Sequence, residues 1–396
     1  MTTPKQTAPE KGTDEDVVSE SIEVFTIRVD DAVLDDLRHR LSLTRFPDQI
    51  EGIGWEYGVP VDYLQELVAY WRDAYDWRSA EARLNTLGHF RTTIDGQRIH
   101  FIHARSPRPD ARPLLLTHGW PGSVVEFLDV IPRLIDPESH GGRATDAFHV
   151  IAPSLPGYGF SDPPRTPGWD VARIAGVFTE LMARLGYPDY LAQGGDWGAQ
   201  VTTWIGALDP EHCRAIHLNM APGIPPERPG LLTEEEQTDL AVMKKFAAEE
   251  SGYANEQGTK PQTVGVALND SPAGLLAWIV EKFRAWSDCD GHPENCFSRD
   301  ALLTNVMLYW VTQTSASAAR LYWETRNSAA GPPPFVTVPT GVARYPKEVL
   351  LWPRSWVEHQ SNVVRWENME RGGHFPAMEQ PDLFVEDLRS FVRTVR

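Results

Sequence analysis

Leu191-Ala192-Gln193-Gly194-Gly195-Asp196-Trp197-Gly198-Ala199-Gln200 is the stretch whose reading decides the fold. Its opening residues close a short apolar run that reads as a buried strand, and residues 199–207 read as a helix. Between them lies a Gly-x-Asp-x-Gly turn. Small residues on both sides of Asp196 are what a sharp strand-to-helix turn requires, because its central residue is forced into strained backbone angles and the flanking backbone must pack closely. The side chain presented at the apex is a carboxylate.

Upstream of that turn, residues 170–185 predict a helix. A strand over 149–152 leads into Pro153-Ser154-Leu155-Pro156-Gly157-Tyr158-Gly159-Phe160-Ser161, and another over 113–117 leads into His118-Gly119-Trp120-Pro121-Gly122-Ser123. Residues 92–101 carry a hairpin signal with Asp95-Gly96 as the turn. Earlier still, Asp30 is expected to cap a helix with Leu34, Leu37 and Leu41 on one face. After a break at Thr44-Arg45-Phe46-Pro47-Asp48, a second helix from about Asp62 places Leu64, Leu67, Val68, Trp71 and Tyr75 together. Residues 1–21 are polar and aperiodic, and are expected to be a disordered tail.

Downstream, a strand near 215–218 ends the αβ rhythm. Residues 220–333 read as mainly helical and rich in aromatics (Trp278, Phe283, Trp286, Tyr309, Trp310, Tyr322, Trp323), which predicts an inserted lid with Gly331-Pro332-Pro333-Pro334 as its exit hinge. Strand patterns return over 335–339 and 363–367, and an amphipathic helix spans 381–395. The expected organisation is a tail (1–21), an N-terminal extension (22–90), a first core segment (91–219), a helical lid (220–333) and a second core segment (334–396). Alternating strands and helices imply a mostly parallel sheet covered on both faces. The same sharp strand-to-helix turn presents the nucleophilic Ser of the α/β-hydrolase fold, here replaced by a carboxylate, so the expected fold class is α/β, an α/β-hydrolase fold.

Composition bounds the partners. A formal net charge of -18 over 396 residues argues against nucleic acid and anionic membrane surfaces, which attract basic patches. Three cysteines are too few for a disulfide framework. No apolar run approaches a membrane span, and Met1-Thr2-Thr3-Pro4-Lys5 lacks the apolar core of a signal peptide. A soluble, cytoplasmic protein is expected.

In an α/β-hydrolase the chain order of the catalytic groups is nucleophile, acid, histidine. Asp196 comes first, so the acid and the histidine should follow the lid. Two histidines do: His374, in the Gly-rich loop Arg371-Gly372-Gly373-His374-Phe375-Pro376, and His359, among polar residues. The loop setting favours His374 as the base. The orienting acid is expected at Glu348, after the strand that reopens the sheet, with Glu358, Glu367 and Glu324 as competitors. Backbone N–H groups of Trp120 and Trp197 are the expected oxyanion donors. A carboxylate nucleophile makes an ester by attacking a saturated carbon that bears a leaving group, and water then cleaves the ester. That chemistry fits an epoxide or a carbon–halogen bond. An epoxide needs an acid near its oxygen, a task suited to a tyrosine O–H. Composition leaves Tyr253, Tyr309 and Tyr322 equal for that role.

With these residues assembled, the chain resembles the epoxide hydrolases of the microsomal type, including their soluble bacterial and fungal members, from about Ile22 to its end. The N-terminal helices with Thr44-Arg45-Phe46-Pro47 resemble that family's N-terminal domain. The lid carries further family signatures. They are Gly252-Tyr253 followed by Thr259-Lys260-Pro261-Gln262-Thr263, then Asp270-Ser271-Pro272-Ala273-Gly274-Leu275, and Leu302-Leu303-Thr304-Asn305-Val306-Met307-Leu308-Tyr309-Trp310. The resemblance implies Asp196 as nucleophile, Glu348 as acid partner and His374 as base. It also implies Tyr253 and Tyr322 as the tyrosines that bind the epoxide oxygen, leaving Tyr309 to packing. It implies an enzyme without cofactor or metal, acting on a small-molecule epoxide and water to give a vicinal diol, in detoxification or natural-product biosynthesis. A haloalkane dehalogenase-like hydrolase and a catalytically silent ligand-binding module are the alternatives. The Cys289-to-Cys296 segment, with His292 inside it, matches no family motif and lacks the ligand set of a zinc site. Oligomeric state and the choice of epoxide carbon stay open.

Overall fold

The structure is a computed structural model that describes residues 21–227 and 230–395, so the tail expected over 1–21 lies, except for Ser21, outside the described residues. The chain begins with an edge strand β1 (Glu23–Phe25), helices α1 (Asp31–Ser42), α2 (Val61–Asp73) and α3 (Trp77–Leu84), and a hairpin of β2 (His89–Ile94) and β3 (Gln97–Ala104). Next come β4 (Arg112–Thr117), α4 (Val130–Ile135), β5 (Phe148–Pro153), α5 (Val171–Arg184), β6 (Tyr190–Gly194), α6 (Trp197–Leu208) and β7 (Cys213–Leu218). The segment read as a lid contains α7 (Glu234–Glu249), α8 (Gly252–Gln257), α9 (Pro261–Asp270), α10 (Pro272–Trp286), α11 (Arg299–Thr312) and α12 (Ser315–Arg326). The chain closes with β8 (Val336–Arg344), α13 (Arg354–Gln360), β9 (Ser361–Asn368), α14 (Pro376–Glu379) and α15 (Pro381–Thr394).

Nine strands form one sheet in the order β1-β2-β3-β5-β4-β6-β7-β8-β9. The first three join antiparallel, and β5 through β9 run parallel to one another. Parallel strands buried on both faces read as continuous apolar runs. Leu114, Leu115 and Leu116 on β4 and Val150, Ile151 and Ala152 on β5 are such runs, fully buried. In the hairpin, Asp95 and Gly96 both take positive φ, as a two-residue turn matched to strand twist requires. Because β4 to β9 share one direction, the loops after them all open at one edge of the sheet, where open α/β sheets gather their ligand sites.

The N-terminal helices lie against the lid. Trp71 on α2 is buried and its indole N–H points at the Met307 sulfur on α11, 3.3 Å away. Tyr70 donates to Asp300, and the Tyr75 and Thr304 hydroxyls are 3.0 Å apart. The Arg40–Asp270 ion pair also joins them, but both side chains are exposed, which limits it to about 0–1 kcal/mol. Full burial of one side chain such as Leu64, Leu67 or Trp71 contributes about 1.5–3 kcal/mol. Apolar packing therefore holds the extension.

Two local expectations change. Asp30 stands at the start of α1, but its side chain accepts no capping hydrogen bond; its carbonyl takes the N–H groups of Val33 and Leu34 instead. The eight-residue α3, capped by the Asp76 side chain, was not anticipated, because two turns give too little periodicity to read. No single helix among the described residues is long and apolar enough to cross a membrane.

The glycines of the β6–α6 turn are sterically required. A Cβ on Gly198 would overlap the Thr117 carbonyl, and one on Gly194 would overlap the Gly198 carbonyl. By contrast, a Cβ on Gly176, inside α5, meets nothing. Gly198→Ala should therefore destabilise the protein by about 1–3 kcal/mol. Gly176→Ala should stabilise it by about 0.5–1 kcal/mol. Denaturant midpoints check both, and equal midpoints for the two variants would contradict the packing argument.

Candidate active site

Asp196 occupies the apex between β6 and α6 with φ 53° and ψ -129°, a left-handed setting that costs a non-glycine residue about 1–3 kcal/mol. The strain aims its carboxylate off the sheet edge rather than along the helix. Gly119, after β4, has no Cβ to collide with that carboxylate, so the backbone of the next residue can reach it. Trp120 N–H donates to Asp196 Oδ1 at 2.8 Å. Trp197 opens α6, and its N–H belongs to the first turn, where helical N–H groups have no intrahelical acceptor.

His374 reaches the other oxygen. Its Nε2 lies 3.3 Å from Asp196 Oδ2, and its Nδ1 lies 2.7 Å from Glu348 Oε1. Glu348 and His374 are both buried, on loops after β8 and β9. A parallel bridge between Lys347 and Gly373 ties those loops together. Burial alone disfavours a charged imidazole, but the two facing carboxylates, Glu348 and Asp196, outweigh it and hold the His374 pKa well above the usual histidine value. The competitors sit elsewhere. Glu358 pairs with Arg354, Glu367 pairs with Arg365, Glu324 accepts from Gly168 N–H, and His359 is exposed on α13.

The lid covers this group with aromatic rings. Tyr253 stacks on Trp120 with centroids 5.0 Å apart, and Tyr322 meets Trp197 edge-on at 4.7 Å. The two tyrosine rings are 5.8 Å apart, and Trp286 contacts both Tyr253 and His374. Burial, then the nearby Asp196 charge, pushes the Tyr253 pKa up, and burial with its neighbours does the same for Tyr322. Both hydroxyls stay protonated. Tyr309 points away from this cage: its O–H donates to the Gly122 carbonyl at 2.6 Å.

Several supporting residues escaped the sequence reading. Asn305 donates to the Pro121 carbonyl at 2.8 Å and accepts from Ser123 Oγ at 2.7 Å. With Tyr309 four residues on, it makes a polar stripe on α11 that grips the loop after Trp120. His118 donates from Nδ1 to the Gly119 carbonyl and accepts the Leu155 N–H at Nε2. Burial pushes its pKa down to about 4, so it acts as a neutral brace. Asn and Tyr at i, i+4 within an apolar helix was the available signal. Cys289 and Cys296 are free thiols lying against the Arg284 and Asp288 carbonyls. Among the described residues, no group of three or more His, Cys, Asp or Glu is placed to hold a metal ion.

Residues 22–127 match the family model "Epoxide hydrolase N terminus", and residues 112–271 match "alpha/beta hydrolase fold". Epoxide hydrolase 1 of Sus scrofa is 40% identical over 94% of this chain and 89% of its own. The chain belongs to the epoxide hydrolase family. A Stigmatella aurantiaca protein, provisionally named as an epoxide hydrolase, is 51% identical over 94% of this chain and 85% of its own. Juvenile hormone epoxide hydrolase from Bombyx mori superposes with a TM-score of 0.88 at 35% identity, covering 96% of each chain. The Aspergillus niger epoxide hydrolase does so at 0.85 and 36%, covering 96% of this chain and 98% of that one. The fold is that of the α/β hydrolases, and this member of the family is a hydrolase.

The electrostatics of the site give a direct test. Glu348→Gln removes one of the two carboxylates that sustain the His374 charge, so the His374 pKa should fall. An NMR titration of the imidazole reads it, and an unchanged pKa would contradict the assigned cause.

Proposed function

We propose that this epoxide hydrolase family member converts an epoxide to a vicinal diol in two steps, through a covalent ester on Asp196. One observation carries the reading: a single imidazole, His374, spans Asp196 and Glu348, while Trp120 N–H holds the opposite oxygen of Asp196. Oδ2, the oxygen Trp120 leaves alone, is the attacking atom. It forms a bond to an epoxide carbon as the ring C–O bond on the far side breaks. The departing oxygen takes a proton from Tyr253 or Tyr322, whose neutral hydroxyls suit that work. Hydrolysis follows. Water attacks the ester carbonyl carbon and gives its proton to His374 Nε2, and the negative charge gathers on Oδ1 beside the Trp120 and Trp197 N–H groups. The acyl C–O bond then breaks, the diol leaves with the proton from His374, and the carboxylic acid left on Asp196 passes its proton to His374, which restores the free enzyme.

Charge explains the order of events. In the free enzyme two carboxylates keep His374 protonated, so it is no base. Esterification removes the Asp196 charge, one of the two that support the imidazolium. The imidazolium proton is then free to replace the one the tyrosine gave up, which leaves a neutral base when water must be activated. Glu348 stays throughout and holds Nδ1. Each bond made or broken is served by these groups and water, so the reading calls for no cofactor.

The cage of Trp120, Tyr253, Trp286 and Tyr322 favours a bulky, apolar or aryl epoxide. Clearance of foreign epoxides and tailoring of a biosynthetic epoxide are both consistent with it. Asp196→Ala should abolish turnover and covalent labelling. His374→Gln should add the mass of one epoxide and stall, with turnover down about 10²–10⁴-fold. Intact-protein mass spectrometry after mixing with styrene oxide checks both, and full turnover by His374→Gln would overturn the scheme.

A further inference from the structure

Glu126 has no role in the chemistry so far, although it lies beside it. It belongs to the short 3-10 turn Val124–Phe127, directly after the loop that carries Trp120, and its neighbours Val124, Val125 and Phe127 are buried. A carboxylate in such a turn needs a reason. Its Oε1 occupies the space that a Cβ on Gly122 would fill, so the last glycine of His118-Gly119-Trp120-Pro121-Gly122 makes room for this carboxyl group.

Glu126, Asp196 and His374 line the same largely enclosed cavity, which has room for about one water molecule. Thr117, Gln193 and Asn219 complete its polar wall. Gln193 donates to Asn219 Oδ1 at 2.8 Å, which leaves Gln193 Oε1, Asn219 Nδ2 and Thr117 Oγ1 buried without partners among the described residues. Buried polar atoms that converge on one small space are what holds an internal water, since leaving each unpaired costs about 1–3 kcal/mol. Neither lid tyrosine lines this cavity. Of the cage residues, Trp120 alone borders it, so the cavity adjoins Asp196 and His374 without being the space between the two tyrosines.

We propose that Glu126 is a catalytic residue of the second step: its carboxyl oxygen holds, between His374 Nε2 and the Asp196 carbonyl carbon, the water that hydrolyses the ester. The proposal rests on the two-step reading above. The water donates one proton toward His374 and the other to Glu126, which aims its lone pair at the ester carbon. Oxygen–carbon bond formation then proceeds as the first proton passes to His374, and Glu126 keeps its own protonation state. In the free enzyme burial, against the opposing pull of His374 and with the added push of the Asp196 charge, brings the Glu126 pKa up to about 8; esterification removes the Asp196 charge, and burial remains to favour the neutral carboxyl. A neutral carboxyl still offers its C=O as an acceptor, and it adds no negative charge next to the oxyanion that forms on Asp196.

Rapid mixing with styrene oxide, followed by quenching and intact-mass analysis, separates ester formation from ester hydrolysis. Glu126→Ala should slow hydrolysis about 10²-fold, the scale of loss when a reactant is misplaced by about 1 Å, and the ester should accumulate. Ester formation should stay within about threefold of wild type, since that step does not use this water. Glu126→Gln retains a carbonyl acceptor and should recover hydrolysis to within about tenfold of wild type. Should Glu126→Ala not fold, Glu126→Asp withdraws the carboxyl by one methylene and should show the same selective loss. Unchanged hydrolysis in Glu126→Ala, equal slowing of both steps, or no recovery in Glu126→Gln would overturn the assignment. His374→Gln in the same assay keeps the two levels apart: if it forms no ester, the two-step reading fails, whatever Glu126 does.

Discussion

The backbone of Asp196 is the constraint on which the rest of the site depends. Its positive φ turns the carboxylate out of the sheet, and nothing but hydrogen at Gly194, Gly198 and Gly119 lets three stretches of main chain approach that closely. The strain of about 1–3 kcal/mol is held by packing on both sides, β4 against one flank and α6 against the other. Once the apex is fixed, Trp120 N–H meets one oxygen without any movement. The braces on that loop, His118, Asn305 and Tyr309, serve the same end from different elements. Preorganised donors act because the protein has met their orientation cost in folding.

Parallel topology supplies the remaining groups. Trp120 follows β4, Asp196 follows β6, Asn219 follows β7, Glu348 follows β8 and His374 follows β9, so residues far apart in sequence arrive at one edge. The result is one imidazole buried between two carboxylates. A lone buried charge would be expelled by desolvation, and it is the pairing that makes this cluster tolerable. On the proposed chemistry the same pairing is a timing device, because an ester on Asp196 deletes one charge and changes what His374 can do.

Much of this was legible in the chain, for identifiable reasons. Continuous apolar runs such as Leu114-Leu115-Leu116 announce parallel strands, Asp95-Gly96 announces its hairpin, and flanking glycines announce a strained apex at Asp196. Chain order narrowed the base to His359 and His374, and the Gly-rich loop around His374 separated the two. Order alone did not separate Glu348 from Glu358, Glu367 and Glu324, because what brings Glu348 to His374 is the bridge between Lys347 and Gly373, a contact between loops that leaves no periodic trace. The lid tyrosines were equal by composition for a similar reason: a helix rich in aromatics hides which ring turns inward. Tyr309 differs from Tyr253 and Tyr322 through one hydrogen bond to Gly122. Glu126 was invisible, since a single acid inside Val124-Val125-Glu126-Phe127 looks like an exposed position in a turn.

On the proposed chemistry an enzyme carboxylate, rather than water, makes the first bond to the substrate. Single-turnover reaction of excess enzyme with racemic styrene oxide in water enriched in oxygen-18 tests it most directly. The expected product is a diol carrying unlabelled oxygen, with the label appearing in the peptide that contains Asp196. Oxygen-18 in the diol from the first turnover, with none in that peptide, would mean direct attack by water and would contradict it.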